Sequence, residues 1–329
     1  MPAVAIAIPY VLFVWWFSTG TVLILVGLSV RHDLLLKIGA ALLFVTSLAG
    51  VAASSQLASG AGAYCAFAFA ILLWGAVEIS LLAGWITGPR PEFCPRGCAD
   101  TDRIWFALQA IAYHEVALVA TAGLVFAVTT GAPNQLGWWT FAALLVLRQS
   151  AKVNLFLGVR MLNEELLPAR VSFLQSYCAR KSMNALFPFS VTLATAAAAC
   201  LALAAINAVS NFEALAYSLL TTLVALGALE HFFMVLPIPV VDLWRWSLPS
   251  PSAMDSHAPE PAAKRILSLV PSAGTKCPSS PERTASLARR RLEDQFRSAY
   301  RERQAAASAA DLRAASSAPQ RQTQSTSIK

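Results

Sequence analysis

Charge is what this sequence has least of. Only 13% of its 329 residues are Asp, Glu, Lys or Arg, against about 25% in an ordinary soluble domain. The shortage is uneven: 13 of the 25 basic and 7 of the 18 acidic residues follow Ser247, leaving 12 basic and 11 acidic in residues 1–246. A water-soluble globule of that size cannot wet its surface with so few charges, so that class is excluded. The net charge of +7 is no sign of nucleic-acid binding, because +6 of it belongs to the residues after Ser247. The six cysteines form no disulfide framework. Cys94 and Cys98 supply half a zinc site with no second pair to complete it, and reduced thiols are the ordinary state of cytoplasmic cysteines. There is no P-loop, no dinucleotide fingerprint, no Gly-x-Ser-x-Gly elbow and no internal repeat. No small-residue cleavage site follows the first apolar run, which therefore reads as a membrane span rather than a signal peptide.

Hydrophobic residues are abundant instead: 57% of the chain, with nine Trp, 17 Phe and a mean hydropathy of +0.57. A span needs about 20 mostly apolar residues, and seven segments qualify: Ile8–Val30, Leu34–Ser54, Ala63–Ile86, Ile104–Thr130, Leu136–Leu157, Ala185–Val209 and Phe212–Leu236. The fifth is the weakest, since Arg148 and Lys152 fall in its final turns. Gly88-Pro89, Gly131-Ala132-Pro133 and Pro237 with Pro239 punctuate the ends. The expected fold is an all-α polytopic transmembrane bundle of about seven spans over residues 1–246, followed by a basic cytoplasmic tail over 247–329.

Basic residues set the orientation. Loops after spans two, four and six carry none. Arg31 and Lys37 follow span one, Arg90, Arg96 and Arg103 follow span three, and Arg160, Arg170, Arg180 and Lys181 lie between spans five and six. The N-terminus is therefore expected outside and the C-terminus in the cytoplasm. Within residues 158–184, Val171, Leu174, Tyr177 and Cys178 form a mixed stretch expected to lie on the membrane surface. The tail, rich in Pro, Ser, Ala and Arg, reads as a largely disordered extension, with a basic helix over Ala285–Arg303 as the alternative. Trp15, Trp16, Trp138 and Trp139 read as interfacial belt residues near outer span ends. His32 and His257 read as surface histidines.

Ionisable groups inside spans cost about 3 kcal/mol each at the bilayer centre on insertion scales and need a partner or a purpose. Here they are Glu78 in span three, His114 and Glu115 in span four, Arg148 and Lys152 in span five, and Glu230 and His231 in span seven. At the helical rise, Glu78 lies ~12 Å, His114 ~15 Å and Glu230 ~10 Å inside the same face. Arg148 and Lys152, four apart, share one helix face. Four helices thus contribute polar groups to one layer, and three readings of it stand open. It is an ion-pair network in which the carboxylates neutralise Arg148, Lys152 and a protonated His. It is a chlorin site, with His114 or His231 as the metal ligand and Ala110 or Gly227 one turn away making room for the macrocycle. Or it is a metal-dependent oxidase centre built from Glu78, His114, Glu115, Glu230 and His231. The adjacent His-Glu and Glu-His pairs depart from the Glu-x-x-His spacing that puts two ligands on one helix face.

The chain also carries Trp15-Trp16-Phe17-Ser18-Thr19-Gly20, Gly84-Trp85-Ile86-Thr87-Gly88-Pro89, Tyr113-His114-Glu115 and Gly131-Ala132-Pro133-Asn134-Gln135. Ser150-Ala151-Lys152-Val153-Asn154-Leu155, Asn163-Glu164-Glu165-Leu166-Leu167-Pro168, Met183-Asn184 with Phe187-Pro188, and Leu229-Glu230-His231-Phe232-Phe233-Met234-Val235-Leu236-Pro237 follow. In this combination, over about residues 10–246, the chain resembles the PuhE-type photosynthetic complex assembly proteins of purple and related phototrophic bacteria. The resemblance implies a multi-pass protein of the bacterial cytoplasmic membrane that supports reaction-centre and light-harvesting assembly and influences bacteriochlorophyll supply. Its implied partners are membrane lipid, reaction-centre and light-harvesting subunits or pigment-synthesis enzymes, and no nucleic acid. Bacteriochlorophyll or a precursor is the one cofactor it brings into view. The resemblance carries over neither a reaction nor catalytic residues, and the residues after Ser247 inherit nothing from it. A membrane-embedded metal-dependent enzyme of tetrapyrrole metabolism is the alternative, with a transporter third.

Overall fold

The computed structural model describes residues 2–29, 31–95, 97 and 99–248. The tail expectations, the Ala285–Arg303 helix, His257 and Cys98 lie outside the described residues. Within them the chain is all-helical, with no strand beyond one isolated bridge between Val159 and Arg180. Seven α-helices follow in order: α1 (Pro2–Leu28), α2 (Asp33–Ser55), α3 (Gly60–Leu82), α4 (Asp100–Thr129), α5 (Leu136–Leu157), α6 (Phe187–Ile206) and α7 (Asn211–Phe233). Three short 3-10 turns, Glu164–Leu166, Ala169–Tyr177 and Val240–Ser247, lie after α5 and α7.

Six of the helices (α1, α2, α3, α4, α6 and α7) are long and apolar enough to cross a membrane. α5 is an unbroken helix of 22 residues, about 33 Å at the helical rise. It falls outside that group by composition, because Arg148, Gln149, Lys152 and Asn154 crowd its second half. α2 pairs along α3 and α6 along α7, while α3, α5 and α7 pack on one another and α1 closes against α3 and α7. Ala7, Val11, Ala63, Phe67, Leu215, Leu219 and Leu223 fill one half of the core. Val51, Ala70, Leu73, Val125 and Phe141 fill a second cluster among α2 to α5.

Element ends differ from the sequence boundaries where backbone chemistry intervenes. α3 stops at Leu82 rather than Ile86, because Gly84 takes a left-handed φ of +73° and the Trp85 and Ile86 N–H groups fold back onto the Ser80 carbonyl. That is a glycine-terminated helix end. α7 ends at Phe233, ahead of Pro237 and Pro239, which cannot continue it. α1 begins six residues earlier than hydropathy suggested and carries Pro9 within it.

Two expectations are corrected. The stretch around Val171 and Tyr177 does not keep its apolar side chains for lipid; Val171, Phe173 and Tyr177 are buried against Ala110 of α4, with Leu82 and Phe106 beside them. α4 supplies the apolar face that this amphipathic segment would otherwise have sought in lipid. Trp15 and Trp16 are not at an outer span end either. Trp15 is the middle residue of α1, thirteen from each terminus, and both indoles are committed to protein acceptors, Glu230 for Trp15 and the Leu243 carbonyl for the exposed Trp16. Trp138 and Trp139 do sit in the first turn of α5.

Candidate functional site: a polar layer organised by one helix

α5 presents polar side chains on all sides over less than two turns, and between them they reach four neighbouring helices. Arg148 Nη2 donates to Glu78 Oε2 of α3 at 3.1 Å. Lys152 Nζ lies 2.6 Å from Glu115 Oε1 of α4, whose other oxygen accepts from Gln149 Nε2 at 2.5 Å. Ser150 Oγ is 2.9 Å from His231 Nε2 of α7. Asn154 Nδ2 donates to Ser190 Oγ of α6 at 2.9 Å. The helix that looked least fit for a bilayer is the one whose polar groups engage four others, although Arg148 Nε and Asn154 Oδ1 find no partner among the described residues. Paired in this way, intramembrane polar groups escape the penalty of solitary ones.

Of the seven residues singled out from the sequence, the structure brings Glu78, His114 and Arg148 together and Glu115 together with Lys152, while Glu230 and His231 engage Trp15 and Ser150. Glu78 joins Arg148 on one side and approaches His114 Nε2 at 3.8 Å on the other. Glu115 belongs to Lys152. Glu230 meets no basic side chain among the described residues: its Oε1 accepts from the Trp15 indole at 2.5 Å. Among the described residues no group of three His, Cys, Asp or Glu side chains is placed to hold a metal ion, so the five-ligand set of the oxidase reading is not assembled.

The two histidines differ. His231 is buried, with Nδ1 2.7 Å from the Gly227 carbonyl. A carbonyl only accepts, so Nδ1 carries a proton, and Nε2 is paired with the Ser150 hydroxyl. Both nitrogens are committed. His114 is fully buried, and among the described residues neither ring nitrogen has a hydrogen-bond partner. Its backbone N–H instead donates to the Thr87 carbonyl at 3.0 Å, which ties the loop after α3 to α4.

The small residues near each histidine are already occupied by protein. The Leu147 side chain fills the space over Gly227, so that any Cβ there would collide with it. Gly88 lies so close to α4 that a Cβ would strike the Gln109 and Ala110 backbone. The four-residue offsets that suggested room for a macrocycle record helix and loop packing.

Sequence reasoning missed Gln149, Ser150, Asn154 and Trp15. The trace they left was that Trp15, Ser150 and Asn154 stand in the shared motifs; neutral side chains carry too little desolvation cost to stand out in a span. It also missed an anchor at one end of the bundle. Asp33, the first residue of α2, accepts from Trp85 Nε1 at 2.8 Å and Arg170 Nη1 at 3.0 Å and pairs with Lys37 at 2.7 Å. Arg170 also reaches the Ala83 carbonyl at 3.1 Å, so the Ala169–Tyr177 turn is fastened to the ends of α2 and α3. In that turn's wake, burial pushes the Cys178 thiol up to about 11, which keeps it protonated and unreactive at neutral pH.

Residues 1–255 match the family model described as protein of unknown function (DUF3623), and the chain belongs to that family. It is 37% identical over 259 residues, 78% of this chain and 94% of the relative, to an "Uncharacterized 30.4 kDa protein in puhA 5'region" of Rhodobacter capsulatus. No solved structure matches.

Proposed function

We propose that this protein is an integral-membrane factor for the assembly of bacterial photosynthetic complexes, embedded in the cytoplasmic membrane as seven spans with the N-terminus outside. The observation that carries the reading is the relative encoded in the 5′ region of puhA, 37% identical across nearly its whole length. The likeness of the motifs to PuhE-type assembly proteins points the same way. The geometry of the polar layer is compatible with a scaffold. Its carboxylates are taken up by Arg148, Lys152, Gln149 and Trp15, and His231 is held at both nitrogens. Any influence on bacteriochlorophyll supply is then exerted through reaction-centre or light-harvesting subunits or pigment-synthesis enzymes held at the protein's surface. Fold-level likeness alone would not license a function, so the test is genetic. Deleting the gene from a phototrophic host should lower assembled photosynthetic complexes and bacteriochlorophyll while leaving dark respiratory growth intact. Absorbance spectra of membranes from the two strains measure this, and unchanged complex and pigment levels would remove the assembly reading.

A further inference from the structure

The first span is closed by the last described residues. The 3-10 turn Val240–Ser247 follows Pro237 and Pro239 and packs on the middle of α1. Helix and turn are joined reciprocally. The Trp16 indole donates to the Leu243 carbonyl at 2.8 Å, and the Trp244 indole donates to the Trp16 carbonyl at 3.0 Å. Three ring contacts lie alongside. Trp15 and Trp244 meet edge to face at 5.2 Å, and Trp246 stands 6.3 Å from Phe17, nearly parallel to it, and 5.3 Å from Trp16. Trp16 and Leu243 are 227 positions apart in sequence, so this contact closes only when every helix between them has been made.

One position on α1 makes room for the turn. Gly20 is buried, and a Cβ there would overlap the Trp246 indole. Gly27, seven residues on and so on nearly the same face, has nothing within 4 Å of the equivalent point. Helix propensity favours alanine over glycine at both positions; at 20 alone an indole stands in the way. Trp244 is buried, whereas Leu243 and Trp246 keep exposed outer faces. Asp242 and Arg245 pair with each other, and the side chains of the turn lie outside the two apolar clusters of the core. Ring contacts and two indole bonds therefore do the holding. They also reach further. Trp244 stands against Trp15, whose N–H is the bond received by Glu230 near the end of α7.

We propose that Val240–Ser247 is a closing strap. It shuts on α1 by seating Trp246 in the notch at Gly20, and its closure, passed through Trp244 to Trp15, holds the end of α7 at Glu230. A segment held by few contacts and no core side chain opens locally well before the bundle unfolds. Opening takes Trp244 away from Trp15 and frees that indole to turn from Glu230, so the strap governs one edge of the polar layer from outside it. The proposal does not depend on the assembly function.

The test is hydrogen–deuterium exchange of the full chain in nanodiscs, read by mass spectrometry over residues 240–248 and along α7. Gly20→Ala should speed exchange in the strap roughly tenfold, while Gly27→Ala, the same change over open space, should leave it at the parent rate. A strap equally protected in both variants overturns the notch. Trp246→Ala alters an exposed side chain that the core does not need, and should open the strap as far as Gly20→Ala does. The double variant should open it no further, because both changes remove one contact; effects that add overturn the pairing of Gly20 with Trp246. In every opened variant the last turn of α7 should exchange faster while its first turns stay protected. An α7 end that keeps the parent rate overturns the link through Trp15 to Glu230.

Discussion

Lys152 shows what a single side chain is worth in this bundle. Its ammonium lies 2.6 Å from Glu115, and both side chains are mostly shielded, 18% and 24% exposed. Lys152→Met leaves Glu115 with Gln149 alone, a neutral donor against a full negative charge. Breaking one side of a buried pair costs about 3–5 kcal/mol, whereas replacing both partners by apolar residues is near neutral. Lys152→Met should therefore lower membrane abundance and the melting temperature in detergent, and the Glu115→Leu/Lys152→Met double variant should regain most of both. A double variant no more stable than the single would show that the pair's worth lies in something other than charge compensation. At this scale the sequence was legible where desolvation is severe: Glu78, His114, Arg148, Glu115 and Lys152, all flagged for their charge, do find one another across α3, α4 and α5. It was illegible where side chains are neutral. Nothing in the sequence distinguishes Ser150, facing His231, from the serine at position 47, which is buried with an unpartnered hydroxyl. The pairing of Glu230 with an indole from α1, 215 residues away, is likewise set by tertiary approach alone.

At the scale of elements, two asparagines perform one job at opposite ends of α5. Asn134, two residues before α5, is fully buried. Its Oδ1 accepts from the Leu136 N–H at 3.0 Å, and its Nδ2 donates to the carbonyls of Ser54, Leu57 and Gly62. It thereby caps one helix and binds the turn between two others. Asn184 repeats the arrangement: Oδ1 accepts from Leu186 and Phe187 at the head of α6, and Nδ2 donates to the carbonyls of Asn154 and Gly158 at the tail of α5. Each side chain satisfies helix-end groups, among them the Leu136, Leu186 and Phe187 N–H groups, and adds to carbonyls such as those of Ser54 and Asn154 that also accept a backbone N–H. Asn134→Ala should cost about 2–4 kcal/mol by stranding several of them, read as a lowered melting temperature in detergent. Asn134→Asp should fare no better, because a carboxylate cannot donate to three carbonyls. An aspartate variant as stable as the parent would mean that those donor bonds contribute nothing. Hydropathy located the helices well because each is a long apolar run. It missed their ends by up to six residues, because the ends are decided by backbone hydrogen bonding, such as the Gly84 reversal after α3. The packing of the Ala169–Tyr177 turn on α4 was hidden for a related reason: an amphipathic stretch declares that it needs an apolar face, and not whose face that is.

For the whole molecule the open quantity is the parity of the spans, and it rests on α5. Six helices are apolar enough to cross a membrane without argument. If α5 lay outside the bilayer, Gly131 and Arg170 would share a side and everything after α6 would be inverted. Two physical points favour a crossing. Its 33 Å length, taken from 22 residues at the helical rise, matches a hydrocarbon core of about 30 Å. Its charges are also met by helices that do cross, α3 and α4, with α6 and α7 answering its neutral polar groups, so it belongs at their depth. Basic residues agree. Among the described residues the turns between α2 and α3, α4 and α5, and α6 and α7 hold none, while those between α1 and α2, α3 and α4, and α5 and α6 hold Arg31, Arg90, Arg160, Arg170, Arg180 and Lys181. Seven crossings put all of these in the cytoplasm; six would export the last four against the usual bias. Reporter fusions after Gly60, Gly131 and Asn211 should therefore signal the periplasm, and fusions after Arg31 and Arg170 the cytoplasm. Matching signals from the Gly131 and Arg170 fusions would remove α5 from the membrane, and with it the depth argument for the polar layer that α5 organises.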